Sequence, residues 1–536
     1  MGQDRLIWLL LVLVVCATSR GLDLSIGENG SNVQTLHASG VLGEDVNVGL
    51  ISARNVLSSH EAFFDKDFQG QPTGPSNVIN YDFSGSGISA SSHDTAMAGI
   101  AISRGDAAHP QHFGVAPAAM LHCARVAASD DNLQLNWIED ALDELILQQD
   151  CKVIFVGLAL STLTPNGDSV WTKAFDYYAY NHDVVFVLPA GNEDEDIAVF
   201  GDAYNGLTVG GLALEGGDFY GYAGADSGSG PTEDLRQKPE VTSPSQSQQV
   251  PSAGCDTCWQ TVGSSGGQTS FSVPHGAGVC ALLVGRAGLD YPAEAACHEV
   301  IKAAVTNSAF PNINDKDQNY TAGADANTWH PDRGYGKIDG RRAYETLCGG
   351  IVAPGTDIQS MRGWSYESVS NPYQQHVYRI YAQRNERLLV TVTWDRQITK
   401  KATYIAESEP RFDVSLDIIE PSGSQLCADP GGPDNLIKAD VLVHESGFHE
   451  VMIANTTNKH DRNYALAFEI LQPVPGDFYP ADSIAEYADL ADLADLWLDP
   501  GQFEEDLSGD MQINLVDFAV FANHWLEVDP RYYPRN

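Results

Sequence analysis

Residues 266–278 read GGQTSFSVPHGAG and run on into VCALLVG (279–285). Two glycines give way to Thr269 and Ser270, Pro274 follows, and small residues then continue into an apolar helical run. A serine at the head of such a helix sits at the positive end of its dipole. A hydroxyl is a weak nucleophile at its own pKa and needs a base within hydrogen-bond reach, for which an imidazole is suited. The reading of Ser270 therefore depends on what the rest of the chain brings to it.

Outward from this stretch, residues from about 30 to 348 alternate buried apolar runs with helical patterns. VNVGLI (46–51), KVIFVGLAL (152–160), DVVFVLPAG (183–191) and GLTVGGLAL (206–214) read as buried strands. LNWIEDALDELILQQ (135–149) and WTKAFDYYAYN (171–181) read as amphipathic helices. That alternation predicts βαβ units and a parallel sheet covered by helices on both faces. From about 352 to 472 the pattern changes. LLVTVTW (388–394), FDVSLDIIE (412–420) and GFHEVMIA (447–454) alternate with period two between Pro/Gly turns, which predicts an antiparallel β-sandwich. After PVPGD (473–477), DLADLADLWLD (489–499) and DFAVFANHWLE (517–527) repeat one unit and predict a small helical module over 476–528.

Four separated stretches carry chemistry in order: SSHDTAMAGI (91–100), GVAPAAMLHCARV (114–126), VVFVLPAGNED (184–194) and the Ser270 stretch. Together with KPEVTSP (238–244) and RGYGKIDGRRA (333–343), they make the region from about 40 to 348 resemble the subtilisin-like serine proteases. The resemblance implies a subtilisin-type α/β domain over 30–348 that hydrolyses peptide bonds of protein substrates. It implies Ser270 as nucleophile, His93 as general base and acid, and Asn192 as a donor to the developing oxyanion.

One position departs from the pattern. The family carries Asp at the end of its first core strand, and VNVGLISARNV (46–56) has Ser52 there. Loss of that carboxylate costs roughly ten-thousand-fold in turnover in proteases of this chemistry. Asp45 lies about 23 Å away along an extended strand and cannot replace it. Asp94 follows His93 directly, and neighbours on a helix are expected not to face each other. Asp65 and Asp67 sit in a downstream loop, and Ser52 itself is a neutral oxygen able to accept from the imidazole. A catalytically weak or inactive pseudoprotease used for extracellular binding or surface assembly is the alternative reading. GLAL (157–160) replaces the family's Ser-Leu-Gly, which bears on how an extended peptide pairs.

In the tail, DLSGDMQINLVD (506–517) places Asp506, Ser508, Asp510, Asn514 and Asp517 at loop positions 1, 3, 5, 9 and 12, with the Gln512 carbonyl at 7. That is the spacing of an oxygen-lined calcium loop. It resembles a dockerin repeat, which implies bound Ca2+ and a cohesin-like partner or surface anchor. The sandwich, over 352–472, resembles the pre-peptidase C-terminal domains of secreted proteases, through WDRQ (394–397) and DVSLDIIEPSG (413–423).

Bulk properties agree with export. Of 536 residues, Asp and Glu number 72 against 30 Lys and Arg, a formal net charge of −42 that argues against nucleic-acid binding. MGQDRLIWLLLVLVVCATSRG carries one arginine before an apolar run too short to span a bilayer, and residues 1–19 read as a cleaved secretory signal of a bacterium. Val15 before Cys16 argues against a lipoprotein anchor, and no later segment is long and apolar enough to cross a membrane. Cys255 and Cys258 form a lone CxxC with no second pair, which predicts a local disulfide rather than zinc. Cys123 and Cys280 lie in apolar runs and are expected to be buried thiols.

Overall fold

The computed structural model describes residues 22–531 apart from 68–69, 130–131, 193–195, 291, 320–328, 409, 478–484, 486, 498–506, 509–511 and 528–530. The expected signal segment and Cys16 lie outside the described residues, as do Asp506 and Asp510 of the tail loop.

The apolar runs form one eight-stranded sheet. Its strands are β1 (Asn47–Ser52), β2 (Val78–Asp82), β3 (Met120–Arg125), β4 (Val153–Val156), β5 (Val185–Pro189), β6 (Leu207–Glu215), β7 (Phe219–Ala223) and β8 (Val241–Pro244). The order is β7-β6-β5-β4-β1-β3-β2, with β8 also beside β6. Every pairing is parallel except the antiparallel β6–β7 edge. The chain passes from β3 across β1 to β4, so the topology switches direction around β1. In such sheets the crevice beyond the strands' carboxyl ends at the switch is where ligands bind.

The alternation of side chains explains why these strands are apolar throughout. Leu50, Val153, Phe155, Val185 and Val187 enter one core, while Ile51, Ile154, Val156, Phe186 and Leu188 enter the other. Successive residues point to opposite faces, so a strand covered on both sides must be hydrophobic at every position. One face is covered by α1 (Ser92–Ile102), α4 (Val273–Asp290) and α5 (His298–Asn307), the other by α2 (Leu135–Asp143) and α3 (Val170–His182). The helix expected over 135–149 changes character partway. After Asp143 the backbone widens into a π turn over Glu144–Gln148.

Helix α4 lies unusually close to the sheet. A Cβ on Gly276 would stand 2.9 Å from Val187 Cγ1, and one on Gly278 would stand 2.4 Å from Val115 Cβ. The small residues of PHGAG are therefore what lets α4 run through the middle of this unit. His275 on the same helix is fully buried between Ser31 Oγ at 3.3 Å and Gln248 Oε1 at 3.1 Å.

Residues beyond 350 form two further large sheets and a two-stranded one, Ile398–Lys400 with Tyr404–Ala406. Gln375–Ala382, Gly447–Asn455, Val414–Ile419 and Gln425–Asp429, with Asp357–Ile358 at the edge, make the first. Arg362–Val369, Arg462–Leu471, Arg387–Trp394 and Leu436–Leu442 make the second. They share a core that includes Tyr378, Val390, Trp394, Leu416, Val451 and Phe468. The second sheet also contributes Trp364, Leu436, Ala465 and Ala467 to the α/β core. Buried Glu469 there pairs with Arg342 and Arg362. In the tail, α6 (Tyr487–Asp495) and α7 (Leu515–Asn523) bury Leu493, Ile513 and Phe521 together. Cys255 and Cys258 form the expected disulfide, and Cys123 and Cys280 are buried free thiols.

Burial holds the pKa of His275 down at about 3. Between pH 3 and the ordinary imidazole range the unfolded chain binds a proton that the folded chain does not. The stability His275 contributes is therefore complete above about pH 6.5 and is lost as pH falls toward 3. Denaturant midpoints measured across that window should fall with pH, and His275→Asn should flatten the slope relative to wild type.

Candidate active site

Ser270 sits in a 3-10 turn, Thr269–Phe271, directly ahead of α4, and is half-buried. The approach to it is narrow. Gly267 has φ +93°, and a Cβ there would lie 2.6 Å from Ser227 N, so this position in the loop requires glycine. The Ser270 backbone N–H donates to no group among the described residues.

Asn192, just beyond the carboxyl end of β5, is held against this turn. Its Oδ1 accepts from Thr269 N at 2.9 Å and from Thr269 Oγ1 at 3.0 Å. Thr269 Oγ1 also lies 3.2 Å from Gly191 O, and Thr269 is fully buried. With its oxygen committed, the Asn192 side chain has only the Nδ2 donor left, and that group has no acceptor among the described residues. Among the described residues, two donors next to Thr269, Asn192 Nδ2 and the Ser270 N–H, are thus left without an acceptor. Thr269 was not singled out in the sequence. Its place directly before Ser270 was visible, but the fold alone brings Asn192 to it.

His93 opens α1, and its side chain is 44% exposed. Its ring packs on Phe271, with centroids 5.6 Å apart, which places the imidazole beside the residue that follows Ser270. It forms no hydrogen bond with Ser270 Oγ among the described residues. Bonds of this kind are often long without substrate and tighten when it binds.

The expectations about the third group need correction at two points. Ser52, at the carboxyl end of β1, is fully buried and its Oγ has no hydrogen-bond partner among the described residues, so it does not accept from the imidazole. A Cβ on Gly157 would stand 2.9 Å from the Met97 sulfur and 3.6 Å from Ser52 Oγ, so Met97, Gly157 and Ser52 pack together. Asp94, set aside because helix neighbours point apart, does approach His93. Its Oδ1 is 3.7 Å from His93 Nδ1. The reason is the helix cap: Ser91 Oγ accepts from Asp94 N at 3.1 Å and donates back to Asp94 Oδ2. That reciprocal cap draws the carboxylate toward the helix start and leaves Oδ1, buried and without a hydrogen bond, on the His93 side. The Ser-x-x-Asp spacing of 91–94 was the signal that could have found it. Asp65 instead pairs with Arg104, and Asp67 accepts from Gln71 N.

Beside the site, β4 continues into Gly157 to Leu160. Leu160 and Val199 exchange backbone hydrogen bonds at 3.2 and 3.1 Å. Leu158 and Ala159 make none among the described residues and are solvent-accessible. In the tail loop, Asp517 is buried and accepts from Ser508 N and Asn514 N, both at 2.8 Å, while the Gln512 carbonyl accepts from Asn514 Nδ2 at 2.8 Å. These four sequence-selected residues do cluster at the start of α7.

Residues 59–337, just over half the chain, match the family model described as Peptidase_S8: Subtilase family. The match starts after Ser52. Among solved structures, the chain is similar to the prenylagaramide maturation protease PagA at 21% identity, with 59% of this chain and 99% of that one covered and a TM-score of 0.43. It is similar to the CspB protease of Clostridium perfringens at 14% identity, covering 60% and 99%, TM-score 0.49. A serine protease of Aeromonas sobria matches at 14% identity, covering 83% and 91%, TM-score 0.41.

Thr269→Val removes both Oγ1 contacts while keeping the shape of the side chain. It should lower the unfolding free energy by about 1–3 kcal/mol, the usual cost of leaving buried acceptors unpaired, as measured by denaturant titration.

Proposed function

The chain belongs to the subtilase family, and from that premise we propose that it is an exported serine endopeptidase in which Ser270 attacks the scissile carbonyl. The observation that carries this reading is the joint placement of Ser270, its free N–H and the Asn192 amide, oriented by Thr269. In a tetrahedral intermediate the carbonyl oxygen becomes an oxyanion, and two preorganised donors with no other partner suit it. His93 takes the Ser270 proton and returns it to the leaving amine once substrate closes the gap. Asp94 supplies negative charge to the imidazolium from the next position along the chain, in the role the family gives to the residue at Ser52. Its 3.7 Å separation is an electrostatic contact rather than a hydrogen bond, so this enzyme turns over more slowly than one with a strand-borne Asp. The free backbone at Leu158 and Ala159 supports extended pairing with a peptide substrate, a sheet-edge mode of recognition.

The same reading extends to the tail. Asp506, Ser508, Asp510, Gln512, Asn514 and Asp517 bind one Ca2+, a hard cation suited to six oxygen donors. Exposed Trp497, Leu515, Val516 and Phe518 beside the loop offer an apolar surface to a cohesin-like partner or anchor. Among the described residues no helix is long and apolar enough to cross a membrane.

A fluorophosphonate probe should label the folded full-length protein, and Ser270→Ala should abolish labelling. With a peptide substrate, Asn192→Ala should lower kcat about 10^2–10^3-fold with little change in KM, the loss typical of removing one oxyanion donor. Asp94→Asn should reduce the labelling rate without changing the far-ultraviolet circular dichroism. Folded wild-type protein that resists the probe at high concentration would show that this chain is a binding scaffold instead.

A further inference from the structure

A second cluster of reactive side chains lies away from Ser270, where the α/β unit meets the sandwich. Asp183 caps the C-terminus of α3 in a left-handed conformation, with φ 54°. Cys297, His298 and Glu299 are consecutive at the start of α5. The ligand atoms of Asp183, Cys297 and Glu299 all lie within 4.8 Å of one another. His298 Nδ1 lies beside two of these, 2.9 Å from Asp183 Oδ1 and 3.2 Å from Glu299 Oε2, and His298, Glu299 and Asp395 form a second close group that shares Glu299. Cys297 is a free thiol.

Three features distinguish this cluster from an ordinary ion-pair network. First, Glu299 is 5% exposed, yet its Oε2 has no hydrogen-bond partner, although it is turned toward the same centre. Second, the other ring nitrogen of His298, Nε2, lies 2.9 Å from Asp395 Oδ2. A carboxylate behind a histidine is the arrangement that fixes the ring of a metal ligand and raises its basicity. Third, the cluster opens into a cavity of about 370 Å³ whose lining includes Tyr180, Asn181, Tyr366 and Arg462, which gives an ion a way in. The Arg462 guanidinium is taken up by Gln397 and Glu407 and does not neutralise the group.

We propose that Asp183, Cys297, His298 Nδ1 and Glu299 form a binding site for a zinc-type divalent cation, with Asp395 as the supporting carboxylate. Ligands at 2.0–2.3 Å in a tetrahedron stand roughly 3.3–3.8 Å apart. The His298 Nδ1 spacings to Asp183 and Glu299 fall just below that range, and the Asp183, Cys297 and Glu299 atoms lie within 4.8 Å of one another, so rotation of the Cys297 side chain toward His298 completes the set. A mixed sulfur, nitrogen and carboxylate set favours zinc over calcium or magnesium, which take oxygen alone. On binding, the thiol proton and any proton on Nδ1 are released to solvent, and Asp183 turns a carboxylate oxygen from the imidazole to the ion. Asp395 and Tyr366 come from the sandwich, and Tyr366 OH lies 3.3 Å from Glu299 Oε1. The ion therefore ties the two units together.

The test uses the full-length chain, stripped with a chelator and held in excess calcium so that the tail loop is not counted. Cobalt(II) should bind at one ion per chain and give a sulfur-to-metal charge-transfer band, and zinc should displace it. Cys297→Ser should abolish the band while the circular dichroism is unchanged, and Cys348→Ser should leave it intact. Asp395→Asn should keep the band but weaken zinc binding about 10–100-fold, as loss of a supporting partner does. Zinc should also raise the thermal midpoint of wild type but not of Asp183→Asn. A folded wild-type chain without the band, or a band that survives Cys297→Ser, would overturn the site.

Discussion

The close contact of helix Val273–Asp290 with the parallel sheet is the constraint on which the α/β unit rests. Parallel strands need cover on both faces, and a central helix can approach this sheet only where it has no Cβ to hold it off. Gly276 supplies that clearance against Val187 of β5, and Gly278 lets the helix pack on Val115 in the segment before β3. Burial of apolar surface then repays the loss of backbone freedom that glycine brings to a helix. Because Ser270 stands three residues before the helix, the same packing that seats the helix also sets the depth of the serine. His275 shares that setting: it is neutral and enclosed because the helix that carries it has no solvent-facing side along this stretch.

A local cap, rather than a strand, brings a carboxylate to the His93 imidazole. Ser52, at the carboxyl end of β1, is buried and packs with Met97 and Gly157. Asp94 reaches the imidazole only because Ser91 draws its backbone and one of its carboxylate oxygens toward the start of the helix. The carboxylate is 97% buried and lacks a second hydrogen bond, so the field of its Oδ1 is poorly screened by water. Asn192 follows a similar logic. Thr269 fixes the direction of its amide by donating to Oδ1 from both N and Oγ1.

The sandwich is integral to the α/β unit rather than appended by a linker alone. Trp364, Leu436, Ala465 and Ala467 extend the α/β core, and Glu469 gathers two arginines from either side of the junction. A buried carboxylate shared by Arg342 and Arg362 would be costly if the units separated, since one buried charge would lose its partners. Lys438 Nζ donates to Thr306 O at 2.9 Å, and Thr391 Oγ1 donates to Asn307 Oδ1 at 3.1 Å, so the last turn of α5 is also held by the sandwich. The Asp183–Cys297–His298–Glu299 cluster lies at the opposite end of the same helix, so both ends of α5 are engaged at the junction.

Amino-acid order alone determined four of the eight strands of the α/β sheet, β1, β4, β5 and β6, because continuous apolar runs of four to nine residues have few other stable fates between helical patterns. It likewise determined the change to strands of the sandwich after 350 and the CxxC disulfide. Only tertiary structure decided the partners. Whether Ser52 meets the imidazole depends on how Met97 packs, and whether Asp94 does depends on a three-residue cap. That Asp183 meets Cys297 and Glu299 depends on two helices separated by more than a hundred residues. Periodicity reports which face a side chain takes, but contacts a few ångströms long between distant segments follow from the summed packing of the whole unit, which no local pattern encodes.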